Sequence, residues 1–200
     1  MQLIMSPTSP FVRKIRVLTR EAKLTDVVEE VEVVTTPLAS AAEALAANPL
    51  GKIPALVRNE GPTLYDSRVI SRYLDDYANA NLCPASRLWE VLTLEATGDG
   101  IMEAAVSMTY EARLRPEAQQ SPDWVEAQWN KAARALDALG DRWLSHLEGP
   151  LTMGQISVGC ALSYLDFRHD ARGWRDGRKA LADWHAGFAA RDSMTATTPE

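Results

Sequence analysis

Leu3-Ile4-Met5 is a continuous apolar run that Ser6-Pro7-Thr8-Ser9-Pro10 stops, so the chain opens on a short buried strand. Pro10 suits the first position of a helix, where its missing N–H matters least, and Ser9 falls at the N-cap. The pattern carries that helix to about Leu24. Val27 to Val34 is β-branched and interleaved with Glu29, Glu30 and Glu32, the mark of a half-exposed strand. Ala39 to Ala47 predicts a weak, alanine-rich helix. Ala55-Leu56-Val57 and Thr63-Leu64-Tyr65 flank the turn residues Asn59-Glu60-Gly61-Pro62 and read as a hairpin. From Ser67 to Ala78, Val69, Ile70, Tyr73, Leu74 and Tyr77 recur at helical spacing. The order β-α-β-α-β-β-α predicts a compact α/β domain over residues 1–79.

The pattern changes at Asn79-Ala80-Asn81-Leu82-Cys83-Pro84, which makes 80–86 the expected linker and 87–200 an all-helical domain. A long helix is expected from Arg87 to Arg113 and a second from Pro122 to Leu147. Thr152-Met153-Gly154-Gln155 has the S/T-x-x-E/Q form of a capping box before an apolar helix, Ile156 to Phe167. Its small residues Gly159, Cys160, Ala161 and Ser163 suit the centre of a bundle. A last helix covers about Arg178 to Ala190, and Ser193 to Glu200 reads as a loosely held polar tail.

Composition narrows the chemistry. With 46% hydrophobic and 24% charged residues and a net charge of −6, the 200-residue chain suits a globular protein whose main partner is neither nucleic acid nor an anionic membrane. No apolar run approaches the length of a membrane span, and the start lacks the basic and apolar regions of a signal peptide. Cys83 and Cys160 have no CxxC spacing, so a reducing cytoplasm is expected. His146, His169 and His185 form no metal-ligand motif, and no metal is expected. Gly98-Asp99-Gly100 does not follow a strand, which excludes a dinucleotide fingerprint.

Two places carry more than fold. Pro54 directly precedes an apolar run whose central strand would reject it, and a cis Ile53–Pro54 bond in a tight turn reconciles the two. Such a bend leaves the amide edge of Ile53 extended for a short peptide. Asp66-Ser67 falls at a helix start, where free N–H groups and the dipole favour a carboxylate. Together they outline half of a site for a small anionic peptide. Hydroxyls on the loop after the first strand come from Ser6, Thr8 and Ser9. Ser9 also reads as a simple N-cap, Arg13 as a solvated helix arginine, and Phe11 as packing in the first domain.

Taken in order, Ser6 to Lys14, Asn48 to Val57, Leu64 to Ser67, and Leu151 to Gln155 leading into Tyr164-Leu165-Asp166-Phe167-Arg168 resemble the cytosolic glutathione S-transferases over essentially the whole chain, in their bacterial Ser-Pro-Phe form. The resemblance implies a thioredoxin-like N-terminal domain, an all-α C-terminal bundle and a homodimer. It implies that Ile53, before Pro54, pairs with the cysteinyl part of glutathione, and that Asp66 and Ser67 hold its γ-glutamyl end. Lys52 would reach the glycyl carboxylate, and Asp99 the glutamyl ammonium across a dimer interface. Ser9 aligns with the hydroxyl or thiol that activates the glutathione sulfur. Many relatives have Glu or Gln where this chain has the shorter Asp66. Phe11, Met108, Tyr110 and Arg113 would border the second substrate, ordinary packing being the competing reading of the last three. The implied function is cytoplasmic conjugation of glutathione, the co-substrate, to a hydrophobic electrophile in detoxification. A non-catalytic glutathione-binding or protein-interaction module and a glutathione-dependent peroxidase or reductase are the alternatives.

Overall fold

A central strand buried on both faces organises the first part of the protein. In the computed structural model, which describes residues 1–199, this is β1 (Gln2–Met5). It pairs in parallel with β2 (Glu29–Glu32) and antiparallel with β3 (Ala55–Val57), giving the order β2-β1-β3. Leu3, Ile4 and Met5 are all buried, as the unbroken apolar run requires. Ile4 and Ala55 pack with Val33, Ala44 and Ala47, the last two from α2 (Ala42–Ala47), and Ile53 rests against this cluster. Helices α1 (Pro10–Glu21) and α3 (Ser67–Ala78) pack on each other.

The expected hairpin reduces to a single bridge, Leu56 with Leu64, and no fourth strand forms among the described residues. Pro62 has no N–H to donate to a ladder, and Gly61 adopts a positive φ of 83°. Two compact units result, Met1–Ser86 with the stretch from Asp192, and Arg87–Arg191. That last stretch departs from the loose tail expected at 193–200, of which Glu200 lies outside the described residues. A short helix, α9 (Asp192–Thr195), packs against α1 with Ser193, Met194 and Thr197 buried. Arg13 is the reason. Rather than facing solvent it is buried, donating through Nη2 to the Met194 carbonyl at 2.9 Å and through Nε to Thr197 Oγ1 at 3.4 Å.

The second unit is helical: α4 (Leu88–Leu114), α5 (Pro122–Arg142), α6 (Leu144–Leu147), α7 (Met153–His169) and α8 (Lys179–Ala189). The helix expected to run unbroken from Pro122 to Leu147 stops at Trp143 and restarts at Leu144. Helix α7 is buried along most of its length, and α4 is its main neighbour. The capping box forms. Thr152 Oγ1 accepts from Gly154 N–H at 3.2 Å, and Gln155 Oε1 accepts from Thr152 N–H at 2.9 Å. Gln155 Nε2 also donates to the Pro150 carbonyl at 2.7 Å. Because Thr152 and Gln155 are both buried, Thr152→Ala is expected to cost about 1–2 kcal/mol. Differential scanning calorimetry should then show Tm lowered by about 2–8 °C.

Candidate functional site

The strand registers gather one end of the sheet. Ile4 pairs with Ala55, so the chain leaving β1 toward Ser6 runs beside the chain entering β3 through Ile53 and Pro54. Leu56 bridges Leu64 antiparallel, so the segment leading to Asp66 and Ser67 runs back toward the same end. The loop of Ser6 to Ser9, the Ile53–Pro54 turn and the start of α3 therefore share one rim.

Each of these segments presents polar groups that have no partner among the described residues. The Ile53–Pro54 bond is cis, as is Tyr65–Asp66. Neither the N–H nor the C=O of Ile53 has a hydrogen-bond partner among the described residues. The turn is held from below, where Asn48 Nδ2 donates to the Lys52 carbonyl at 3.0 Å and Asn48 Oδ1 accepts from Leu50 N–H at 3.0 Å. Gly51, at a φ of 63°, leaves no room for a Cβ beside Ser40.

Ser9 is the N-cap of α1. Its Oγ accepts from Val12 N–H at a long 3.4 Å, and among the described residues its own proton has no acceptor. A weak cap that retains its donor can serve an anion at the positive end of a helix. Ser6 Oγ and Thr8 Oγ1 lie 3.4 Å apart and engage each other.

At the start of α3, Asp66 caps the helix by accepting from Arg68 N–H at 3.0 Å and pairs with the Arg68 guanidinium at 2.7 Å. The Arg68 hydrogen bond holds its carboxyl below the usual range, and the nearby Lys14 charge acts in the same direction, while partial burial opposes them. Ser67 is buried, and neither its N–H nor its hydroxyl has a partner among the described residues. Lys52 is exposed and Phe11 half-buried.

The residues expected in the second unit divide. Met108 is 2% exposed and belongs to the helical core, which removes it as a surface contact. Asp99 is also buried, with Oδ1 3.1 Å from Ser157 Oγ on α7. Tyr110 and Arg113 remain exposed near the end of α4.

Tyr164 and Arg168, which carry part of the family resemblance without an assigned role, and His169 follow on α7. Tyr164 donates to Thr109 Oγ1 at 3.4 Å, and its hydroxyl pKa is raised by burial, which the charges of Arg168 and Arg113 oppose. The Tyr110 hydroxyl pKa is likewise raised, by partial burial and by the nearby Tyr164. His169 Nε2 lies 2.9 Å from the Ala105 carbonyl. A carbonyl only accepts, so that nitrogen carries the proton. Burial lowers the His169 pKa, keeping the ring neutral. Spacing of four between Tyr164 and Arg168 was the available signal, matching the spacing of three between Tyr110 and Arg113.

No helix among the described residues is long and apolar enough to cross a membrane, and no group of three or more His, Cys, Asp or Glu side chains is placed to hold a metal ion.

Known proteins share this architecture. The glutathione S-transferase N-terminal domain family matches residues 8–77 and its C-terminal domain family residues 122–187. The chain is 35% identical to an uncharacterized GST-like protein, YibF, of Escherichia coli K12, over 100% of this chain and 98% of that protein. It is similar to a glutathione transferase family member from Pseudomonas fluorescens Pf-5 crystallised with bound glutathione. That likeness has 42% identity and a TM-score of 0.97, covering 100% of this chain and 98% of that one. A second structure from that organism, with bound S-(propanoic acid)-glutathione, is 40% identical with a TM-score of 0.93, covering 100% of both chains. The thioredoxin-like sheet, the helical second unit and these matches agree: the chain belongs to the glutathione S-transferase family.

Proposed function

We propose that the protein conjugates glutathione to an electrophile, with glutathione bound at the rim formed by Ser9, Ile53 and Ser67. The carrying observation is that these three residues, on one end of the sheet, all hold polar groups without partners among the described residues. The relatives from Pseudomonas fluorescens hold glutathione and S-(propanoic acid)-glutathione, which supports the same ligand here.

In this reading the cysteinyl amide pairs with the Ile53 edge in the manner of an added strand, beside Pro54. Ser67 donates to the γ-glutamyl carboxylate at the start of α3, where the dipole assists. Asp66 lies by the γ-glutamyl ammonium, already oriented by Arg68, and Lys52 serves the glycyl carboxylate. The Ser9 hydroxyl donates to the sulfur. Hydrogen bonding to the thiolate favours the charged form over the thiol, whose ordinary pKa is about 8.5. The thiol proton passes to solvent, and the thiolate lone pair forms a carbon–sulfur bond to the electrophile, either expelling a leaving group with its bonding pair or adding to a polarised double bond whose carbanion then takes a proton from water.

Ser67→Ala tests the binding half. A hydrogen bond to a charged group contributes about 1.5–3 kcal/mol, so isothermal titration calorimetry should show Kd for glutathione raised at least about tenfold. An unchanged Kd would remove the Ser67 hydroxyl from the site. The catalytic half is tested by incubating glutathione with a panel of neutral electrophiles, where a thioether product identified by mass spectrometry is expected. Glutathione binding without any thioether would leave a binding module, and glutathione disulfide as product would select reduction instead.

A further inference from the structure

Arg13 lies one turn past Ser9 on α1, and it is only 6% exposed. An arginine leaves water only where its donors are met. Here they turn to a stretch over 180 positions later, Nη2 to the Met194 carbonyl at 2.9 Å and Nε to Thr197 Oγ1 at 3.4 Å. The same stretch holds α1 at a second point, where Ser193 Oγ donates to Glu21 Oε1 at 2.5 Å. Arg13 and Glu21 are separated by about 12 Å along the helix axis, so the stretch grips α1 toward both ends. It belongs to the same compact unit as α1, on which α9 packs.

Ordering a polar stretch costs conformational entropy, and the buried Met194 supplies an apolar anchor that offsets it. An anchor of that kind has no need of a buried guanidinium, which is costly to desolvate. What the arginine adds is a link to Ser9. Arg13 N–H donates to the Ser9 carbonyl at 3.0 Å, whereas Val12 N–H reaches Ser9 Oγ only at 3.4 Å. Helix ends fray where their first N–H groups are poorly met, and this cap is weak. The first turn is therefore held mainly through the backbone bond to Arg13, and Arg13 is held in turn by its side chain. A chain of contacts runs from the Met194 carbonyl through the guanidinium to the backbone of Ser9.

We infer that Arg13 is a positioning residue for the reaction: clamped by Met194 and Thr197, it fixes the first turn of α1 so that the Ser9 hydroxyl stays on the glutathione sulfur. The inference deepens the conjugation reading above and rests on it for the role of Ser9. A donor to a reacting atom works only where it is held to within about 0.5 Å, and a residue one turn away supplies that hold without touching the ligand. The stretch from Asp192 thereby serves the site through Arg13.

The test titrates the thiol of bound glutathione, by thiolate absorbance, in the native protein, R13M, S9A and S9A/R13M. R13M is expected to raise that pKa by roughly half to one unit. Kd for S-methylglutathione, which has no ionisable thiol, should stay as in the native protein. S9A/R13M should match S9A, because a residue acting through Ser9 adds nothing once the hydroxyl is gone. A lowered Tm in R13M with the native thiol pKa makes Arg13 purely structural and overturns the inference. So does an R13M shift that persists in full in the S9A background, which assigns it to the guanidinium charge. Should R13M fold poorly, S193A loosens the far grip without touching Arg13; a smaller rise in the thiol pKa is expected, and no rise overturns the inference. If S9A itself leaves the thiol pKa in place, the Ser9 reading falls. The hold on the first turn is then judged by amide hydrogen exchange at Val12 and Arg13: faster exchange in S193A than in the native protein supports it, and equal exchange overturns it.

Discussion

Ser9→Ala is expected to lower kcat/KM for conjugation between about sixfold and fiftyfold at pH 6.5, with the loss closing as pH rises past about 8.5. The range follows from two opposing effects. If the Ser9 hydroxyl depresses the pKa of bound glutathione by about two units, half the thiol is ionised at pH 6.5 in the native protein and about 1% in the variant, a roughly fiftyfold loss of nucleophile. The more basic thiolate is also the better nucleophile, which returns up to about eightfold for a Brønsted slope near 0.45. The net loss stays positive because ionisation changes faster with pKa than reactivity does. At alkaline pH both proteins are fully ionised and the difference vanishes or reverses.

The competing account of Ser9 is a helix cap alone. Its 3.4 Å bond to Val12 N–H is long, so the cap contributes no more than about 1 kcal/mol. A cap-only residue would lower Tm slightly and leave the pH–rate profile in place. Titrating the ultraviolet absorbance of the thiolate in the glutathione complex separates the two. A thiol pKa shifted upward in Ser9→Ala supports the donor role. The same pKa in both proteins assigns Ser9 to the cap.

Elements that announce their own ends were legible in the sequence. Helix α3 runs from Ser67 to Ala78 as expected, because Asp66 caps one end and Asn79 takes the left-handed conformation, φ 50°, at the other. The start of α7 was equally plain, since a capping box is a local device written in four residues. What escaped depended on distant partners. In the polar stretch from Ser193, Ser193, Met194 and Thr197 are buried, and Arg13, over 180 positions earlier, bonds the Met194 carbonyl and the Thr197 hydroxyl. No local pattern separates that arginine from a solvated one. The candidate site shows the same division. Ile53, Asp66 and Ser67 were visible through proline and capping chemistry, whereas Asp99 and Met108 looked available on a helix whose inward face is fixed only by its neighbour.

Helix α4 carries two glycines two positions apart, and replacing each by alanine should have opposite effects on stability. A Cβ on Gly98 would lie 2.7 Å from the carbonyl carbon of Ser157 and 2.9 Å from its oxygen, on the facing helix α7. Backbone on a buried helix cannot step aside as a side-chain tip can, so α4 and α7 must separate along their contact. Overpacking of this kind costs about 1–3 kcal/mol or more. The shift also strains Ser157 Oγ, which donates to the Glu95 carbonyl at 3.0 Å and lies 3.1 Å from Asp99 Oδ1, both buried. Weakening a donor to a buried carboxylate adds about 1 kcal/mol or more. Against this, alanine returns about 1 kcal/mol of helix propensity. The net expectation for Gly98→Ala is a loss of about 2 kcal/mol, a Tm lower by about 4–8 °C. Gly100 is exposed with nothing near its missing Cβ, so Gly100→Ala keeps only the propensity gain and should raise Tm by about 2 °C. Calorimetric scans of both variants check the pair. If Gly98→Ala proves as stable as Gly100→Ala, the close approach of α4 to α7 at Ser157 is wrong, and with it the inward placement of Asp99.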